Sequence, residues 1–386
     1  MPRPPRIASA TAAMPAAVFS PVAGRAQARS GPLFPLHVGD TWMEPCEGAR
    51  MEDLRVAEHP GMHRYCATQG IPELLDAIVE KVRARNGLAC ERDSVLVCGG
   101  ATAGLGAAVG ALAEPGEEVL ILAPFWPLSR GIVQALRARP VEVPFYDRVD
   151  SAQAAVEAVR ERIGPRSVAL YFSSPSNPTG RVLPEDWLLA LAELAREADL
   201  WILSDEVYED YVYCGKHVSI GRFAPERTLS VFSFSKAYGM AGNRIGYLVG
   251  PPGLVAQAHK LSVHTVYHAP TASQLAAVRA LRDGAGWIER ARAAYRAAGE
   301  DAARVLGLAP PEGSMFLFLD AAARLDERGM PGFLEDCLAD GVLVAPGASS
   351  GEAYASWIRL CYSSAPPPTV AEGVRRLARR LGRGVT

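Results

Sequence analysis

The stretch TLSVFSFSKAYGMAGNRIG, residues 228–246, carries a single lysine directly after an apolar strand pattern. Residues 228–234 alternate β-branched, aromatic and small side chains, which predicts a strand that runs into a protein core. Burying the amine of Lys236 at the end of that strand is costly unless the amine has a chemical task. An amine with a lowered pKa can form a Schiff base with an aldehyde. An ordinary surface lysine is the alternative, so other motifs must decide between the two.

The same arrangement, a distinctive residue directly after an apolar strand, recurs upstream. Strands predicted at 94–98, 118–122, 167–172 and 200–203 alternate with helices, which indicates an α/β domain with a largely parallel sheet. Ligands of such sheets bind beyond the carboxyl ends of the strands. The residues near those ends are therefore candidates for one common site, and they are Gly100, Ala101, Thr102, Trp126, Asn177, Asp205, Tyr208 and Lys236.

The composition excludes several classes of protein. Apolar residues make up 49% of the chain, and the formal net charge of −2 gives no case for nucleic acid or a membrane surface as partner. No run of about 18 apolar residues predicts a transmembrane helix. Seven scattered cysteines without C-x-x-C spacing favour reduced thiols and a cytoplasmic location over disulfides or zinc. Two histidine pairs lack the glutamate of a zinc motif, so we expect no metal site.

A pyridoxal phosphate aldehyde would use the candidate residues well. Lys236 supplies the amine, and Asp205 can keep the pyridine nitrogen protonated. Asn177 and Tyr208 can donate to the phenolate oxygen, and Trp126 can cover the ring, although packing against a helix explains Trp126 equally well. The phosphate needs main-chain N–H groups at a helix start, hydroxyls and a guanidinium. Candidates for these are Gly100, Ala101, Thr102, Ser233, Ser235 and Arg244, with a simple packing turn as the alternative at the glycines.

Five motifs occur together: YCATQGIPEL, SSPSNPTG, SDEVYED, SFSKAYGMAGNRIGY and IRLCYSS. From about residue 35 to its end, the chain resembles the class I/II aminotransferases, which are fold-type I pyridoxal phosphate enzymes. The resemblance implies a mostly parallel seven-stranded sheet in a large domain, a smaller α+β domain, and a homodimer with shared active sites. It implies that Arg359 binds the substrate α-carboxylate, where a surface ion pair is the alternative. It also implies that Tyr65 reaches the phosphate in the neighbouring subunit and that Gly39 and Asn177 contact the substrate.

One segment departs from the pattern of the family that the chain resembles. The usual G-E-P-D sequence reads Gly39-Asp40-Thr41-Trp42 here. This segment borders the substrate in that family, so the sequence leaves the amino donor and the acceptor open.

The expected activity is pyridoxal phosphate-dependent transfer of an amino group between an L-amino acid and a 2-oxo acid. Lys236 would form the Schiff base, with Asp205 and Tyr208 as further catalytic residues. A β-eliminating C–S lyase and an amino-acid oxidase or hydroxylase on the same fold remain alternatives. A non-catalytic cofactor-binding regulator is a more remote one, because no DNA-binding extension is visible.

The chain is long enough for two domains. Residues 1–30, rich in Ala, Pro and Arg, are predicted to form a flexible arm. Residues 31–45 would join the small domain, residues 46–284 would form the large domain that binds the cofactor, and residues 285–386 would form the small α+β domain.

Overall fold

The computed structural model describes residues 4–12, 14, 20–28 and 30–383. Its strands alternate with helices through the first two thirds of the chain, as predicted. The strands are β1 (Phe34–Pro35), β2 (Val95–Cys98), β3 (Glu118–Ala123), β4 (Arg139–Pro144), β5 (Ser167–Ser173), β6 (Trp201–Asp205), β7 (Thr228–Ser233), β8 (Gly246–Val249), β9 (Phe316–Asp320), β10 (Val342–Leu343), β11 (Ala345–Pro346) and β12 (Trp357–Cys361).

Twelve α-helices accompany these strands in the described residues. They are α1 (Ser9–Ala12), α2 (Pro72–Lys81), α3 (Ala101–Leu112), α4 (Pro127–Ala135), α5 (Ala152–Arg160), α6 (Glu185–Glu197), α7 (Phe234–Ala237), α8 (Pro252–Thr265), α9 (Thr271–Asp283), α10 (Ala285–Val305), α11 (Gly329–Ala339) and α12 (Pro367–Arg380). None of them is long and apolar enough to cross a lipid bilayer.

Seven strands form the large sheet, in the order β2-β8-β7-β6-β5-β3-β4. The pairs from β7 to β4 are parallel, whereas β8 runs antiparallel to both of its neighbours. The predicted α/β class with a mostly parallel seven-stranded sheet is therefore confirmed. Because β8 alone is reversed, its amino end lies at the edge where the other six strands have their carboxyl ends.

Both faces of this sheet are covered. Val119 and Ile121 of β3 belong to a cluster with α3 and α8, while Leu120 and Leu122 belong to a cluster with α5 and α6. Successive side chains of a strand point to opposite faces, so a strand buried on both sides is apolar throughout. This burial leaves the edge with the carboxyl ends as the place for polar residues.

The remaining strands form two small sheets. β11, β12 and β9 pair antiparallel, and β1 pairs in parallel with β10. Residues 342–346 form two short strands and not one, because β10 pairs with β1 and β11 pairs with β12. The pairing of β1 ties the start of the chain to its last third and carries the segment after β1 toward the sheet edge.

The domain division remains a prediction. Residues 1–3, 13, 15–19 and 29 of the predicted flexible arm lie outside the described residues. Within the described part of that arm, Val22 and Ala26 are buried in a hydrophobic cluster, and Arg25 forms an ion pair with Glu335 of α11.

Candidate active site

An open cleft of about 820 Å³, counted to its solvent mouth, lies at the edge where the carboxyl ends of the strands meet. Nearly all of the residues singled out from the sequence line it. They are Gly39, Ala101, Thr102, Trp126, Asn177, Asp205, Tyr208, Ser233, Ser235, Lys236, Arg244 and Arg359, and Val38, Val207 and Ala241 complete the lining. Segments far apart in sequence thus meet in one place, as the sheet argument predicts.

Lys236 lies in the short helix α7, directly after β7. The Ser233 side chain caps this helix by accepting a hydrogen bond from the main-chain N–H of Ser235 at 3.1 Å. The lysine side chain is 16% exposed, and its amine donates to the Gly39 carbonyl oxygen at 2.5 Å. Burial lowers the pKa of Lys236, which favours the neutral, nucleophilic amine.

Asp205 ends β6 and is buried. Its Oδ2 accepts a hydrogen bond from the Tyr171 hydroxyl at 2.9 Å, and its Oδ1 accepts one from the main-chain N–H of Val207 at 3.3 Å. Burial raises the pKa of Asp205 to about 6, although the hydrogen bond from Tyr171 lowers the pKa. The described residues form no ion pair with this carboxylate, so it is suited to a cationic group on a ligand.

Arg359, in β12, is almost fully buried. Its Nη1 donates to Asn177 Oδ1 at 3.0 Å, and its Nη2 donates to the His37 carbonyl oxygen at 2.8 Å. The guanidinium lies 4.6 Å from the centre of the Phe316 ring, and Nε has no hydrogen-bond partner. Burial lowers the pKa of Arg359, and no carboxylate of the described chain pairs with it. A buried cation of this kind is suited to an anionic ligand group.

Arg244 reaches the cleft because β8 is reversed. It precedes β8 in left-handed backbone conformation, with φ +49°, and its Nη1 donates to the Ala241 carbonyl oxygen at 3.0 Å. Gly100, before α3, has φ +84°, and a Cβ there would lie 2.4 Å from Arg244 Nη2. Glycine at position 100 therefore lets the guanidinium approach the start of α3, where main-chain N–H groups are free to bind an anion.

Trp126 and Tyr208 complete the predicted set inside the cleft. Trp126 immediately precedes α4 and is half-buried. Tyr208 is buried near Arg359 and Asn177, and burial raises the pKa of its hydroxyl. The hydroxyl therefore stays protonated at neutral pH and can donate a hydrogen bond.

Two predicted residues, Gly100 and Tyr65, are not part of the cleft lining. Gly100 lies directly before α3, whereas Tyr65 points away from the protein. Its side chain is 82% exposed, and its ring lies 5.0 Å from that of Tyr267 and 5.6 Å from that of His268. Within the described ranges, no group of three or more His, Cys, Asp or Glu is arranged to hold a metal ion.

Two further residues of the site were not predictable from the sequence. Tyr171 lies inside an apolar strand and reads as core, yet its hydroxyl binds Asp205. Tyr211 donates from its hydroxyl to the main-chain carbonyl oxygens of Lys236 and Ala237, at 2.9 and 3.1 Å. A buried tyrosine needs a hydrogen-bond partner, but the sequence does not say which one.

Comparisons with known proteins agree with this geometry. The sequence profile of the family described as aminotransferase class I and II matches residues 32–377. The chain is 35% identical over 340 residues to the aspartate/prephenate aminotransferase of Thermus thermophilus, covering 86% of this chain and 87% of that protein. It is 34% identical over 327 residues to an arginine–pyruvate transaminase of Pseudomonas aeruginosa, covering 82% of each.

Solved structures give the same result. The structure of Thermus thermophilus aspartate aminotransferase with maleate superposes with a TM-score of 0.89 at 32% identity, over 97% of this chain and 100% of that one. The fold-type I architecture, the order of the motifs and the contents of the cleft therefore all indicate the same family. The chain belongs to the class I and II aminotransferases, the pyridoxal phosphate-dependent enzymes that transfer amino groups between amino acids and 2-oxo acids.

Proposed function

We propose that the residues of the cleft divide the work of transamination among three places: a base at Lys236, a ring site at Asp205 and a carboxylate site at Arg359. The observation that carries this proposal is the meeting of three ionisable side chains, from β6, α7 and β12, in a single cleft. Asp205 and Arg359 are buried without a partner of opposite charge among the described residues, and Lys236 is mostly buried with only the half-exposed Asp40 beside it, so each is suited to a ligand group.

Pyridoxal phosphate fits the residues of the ring site. Asp205 is a buried carboxylate that can accept a hydrogen bond from a protonated pyridine nitrogen. Tyr171 orients that carboxylate. Asn177 and Tyr208 would donate to the phenolate oxygen, and Trp126 would cover the ring.

The phosphate would be bound at the start of α3. At the start of this helix, Ala101 and Thr102 line the cleft together with Arg244, so their main-chain N–H groups and its guanidinium are available to one anion. The hydroxyls that would assist are those of Ser233 and Ser235. Free N–H groups at a helix start and a nearby guanidinium are a common arrangement for binding a phosphate dianion.

The substrate α-carboxylate would bind Arg359. Two nitrogens of the Arg359 guanidinium donate to Asn177 and His37, and the third, Nε, is buried without a partner. The guanidinium is therefore fixed in orientation before the substrate arrives, which reduces the entropy lost on binding. Gly39 lies beside it in the cleft lining and leaves room for the substrate backbone.

When bound, pyridoxal phosphate supplies an electron sink that stabilises negative charge at the substrate Cα. The Lys236 amine takes the Cα proton, because burial favours its neutral form, which can accept one. Asp205 holds positive charge at the ring nitrogen, and Arg359 holds the substrate in place for the transfer. The cleft thereby separates the base, Lys236, from the guanidinium of Arg359 that binds the substrate.

The test of this division is spectral. Purified protein should carry a bound chromophore that bleaches when a donor amino acid is added, and Lys236→Ala should lose both the bleaching and turnover. Lys260→Ala, at an exposed lysine of α8, is the matched control and should behave as the unaltered protein. A Lys236→Ala protein that still turns over would overturn the assignment.

The donor and acceptor follow from a substrate panel. Aspartate, arginine and phenylalanine as donors, each with pyruvate and 2-oxoglutarate, cover the amino donors named for these two relatives and one neutral alternative. Release of pyruvate and ammonia without an acceptor would indicate the lyase instead, and oxygen uptake would indicate the oxidase.

We propose further that the enzyme is a homodimer in which Tyr65 contacts the phosphate of the neighbouring subunit. The support is an exposed apolar patch formed by Tyr65 and Tyr267, whose ring centres lie 5.0 Å apart, and the adjacent Val266. Val266 lies beside Gly99, next to the start of α3, so the patch borders the cleft. Light scattering on the eluting protein should give twice the chain mass. A fully active monomer would contradict the proposal.

We propose a reducing, cytoplasmic location. The support is that all seven cysteines are free thiols and five of them are buried, so the fold needs no disulfide. Fractionation of the producing cells should find the protein with cytoplasmic markers.

A further inference from the structure

The amine of Lys236 has an acidic neighbour that the proposed chemistry does not use. Asp40 Oδ1 lies 3.7 Å from Lys236 Nζ. The same amine donates to the carbonyl oxygen of Gly39, the preceding residue. One short segment thus supplies both a neutral acceptor and a negative charge to the lysine.

Asp40 is held in this position by its surroundings. Its Oδ1 accepts a hydrogen bond from the main-chain N–H of Thr41 at 2.9 Å. Its carbonyl oxygen accepts one from the Ser363 hydroxyl at 2.7 Å, and the Trp42 N–H donates to the Ser363 carbonyl oxygen at 2.9 Å. The carboxylate is therefore oriented by the main chain, and its segment is tied to the chain just after β12. Less side-chain entropy is lost in such a contact than in an ordinary surface ion pair.

Three charged groups act on the Lys236 amine besides burial. The Asp40 carboxylate favours the protonated amine, whereas the guanidinium groups of Arg359 and Arg244 oppose it, and Cys361 is the remaining titratable neighbour. Asp40 makes the largest contribution of these groups. The Asp40 carboxylate is therefore the main influence that raises the pKa of Lys236 against the lowering caused by burial.

We propose that Asp40 is a positioning residue for Lys236: its carboxylate holds the protonated amine beside the Gly39 carbonyl and so sets how much neutral amine is present. The proposal rests on the proposed function in so far as Lys236 is the reactive amine. An amine that takes a proton during the reaction gains stability from a fixed negative charge at this distance. The same charge would slow the amine as a nucleophile, so Asp40 balances the two tasks.

The experiment measures the amine directly. The full-length chain, dialysed free of pyridoxal phosphate, is labelled by reductive methylation with formaldehyde across a range of pH, and the rate at Lys236 is read by mass spectrometry. Asp40→Asn should label roughly threefold to fivefold faster below the midpoint of the titration, because less amine is protonated. At high pH, where every amine is neutral, the two rates should agree.

Three further variants make the outcome specific. Asp40→Glu should restore the original rate. Asp40→Ser can still accept the hydrogen bond from the Thr41 N–H, so it takes the place of Asp40→Asn if the asparagine variant is poorly folded, and it should show the same faster labelling. Asp326→Asn is the matched control, because Asp326 is 51% exposed against 50% for Asp40 and binds Arg328 instead. It should leave labelling at Lys236 unchanged.

Two results would overturn the proposal. Equal rates in Asp40→Asn and the unaltered chain would show that the carboxylate does not act on the amine. Faster labelling at every pH, high pH included, would show that the substitution only exposes the lysine. Labelling requires no transamination, so failure here is distinguishable from failure of the proposed function, which the chromophore and turnover report.

Discussion

Replacing Asp205 by asparagine should weaken catalysis and, at neutral pH, stabilise the cofactor-free fold. Burial raises the pKa of Asp205 from an ordinary 3.8 to about 6. The folded chain therefore binds this proton more tightly than the unfolded chain does. Stability from the carboxyl group is fully present below about pH 3.8 and is lost as the pH rises toward 6. The asparagine side chain has nearly the same shape and does not titrate.

The magnitude follows from the two pKa values. A difference of about two pKa units corresponds to about 3 kcal/mol of stability lost by Asp205 above pH 6. Of this loss, about 2 kcal/mol falls between pH 4.5 and pH 7.5. For a chain of 386 residues, that is about 2–3 °C in the midpoint of thermal unfolding. Any constant offset from the new amide cancels, because only the change with pH is compared.

The assay is thermal unfolding of the cofactor-free protein at a series of pH values. The midpoint of Asp205→Asn, relative to that of the unaltered chain, should rise by about 2–3 °C from pH 4.5 to pH 7.5. Asp186→Asn, at an exposed position of α6, controls for the removal of one carboxylate. Turnover of the loaded variant should fall by about 10²–10³-fold, as when a preorganised electrostatic partner is removed. A midpoint difference that does not change with pH would refute the reasoning.

Two further substitutions test the carboxylate and phosphate sites. Arg359→Lys should raise the donor KM in steady-state kinetics by about 10- to 100-fold and leave the bound chromophore intact. The reason is that a lysine cannot keep the bonds to Asn177 and His37 while it pairs with a carboxylate. An unchanged KM would show that Arg359 does not bind the substrate. Gly100→Ala should weaken pyridoxal phosphate binding about tenfold in a fluorescence titration, because its Cβ would displace Arg244. Gly116→Ala carries a similar backbone cost, at φ +90°, in open space and should leave that affinity unchanged; equal losses would point to strain alone.

The sequence predicted the contents of the cleft well because one geometric rule governs most of them. Asn177, Asp205 and Lys236 each follow an apolar strand, and the parallel strands β5, β6 and β7 end at one edge. This rule alone does not bring Arg244 to the same edge. It precedes its strand, and it reaches the same edge only because β8 runs antiparallel, a direction that the sequence pattern did not indicate.

Residues whose roles depend on register or on distant segments were not predictable. Tyr171 pairs in register with Leu203, two positions before Asp205, and only that register brings its hydroxyl to the carboxylate. Asp40 meets Lys236 through a loop whose path depends on hydrogen bonds to Ser363. The proposed role of Tyr65 depends on a second copy of the chain, which no single-chain pattern can specify.

The cleft brings three charges into the protein at a cost to folding. Burial moves the pKa of Lys236 and Arg359 down and that of Asp205 up, so each group is pressed toward its neutral form. Among the described residues, Asp205 and Arg359 have no counter-charge, and the counter-charge of Lys236 is the half-exposed Asp40. The ligand chemistry supplies the complement: an aldehyde for the amine, a carboxylate for the guanidinium and a protonated ring nitrogen for Asp205. Binding of the cofactor at Asp205 and of the substrate carboxylate at Arg359 would therefore relieve part of the cost of burying these two groups, and the three groups together select for a cofactor and a substrate that carry these complements.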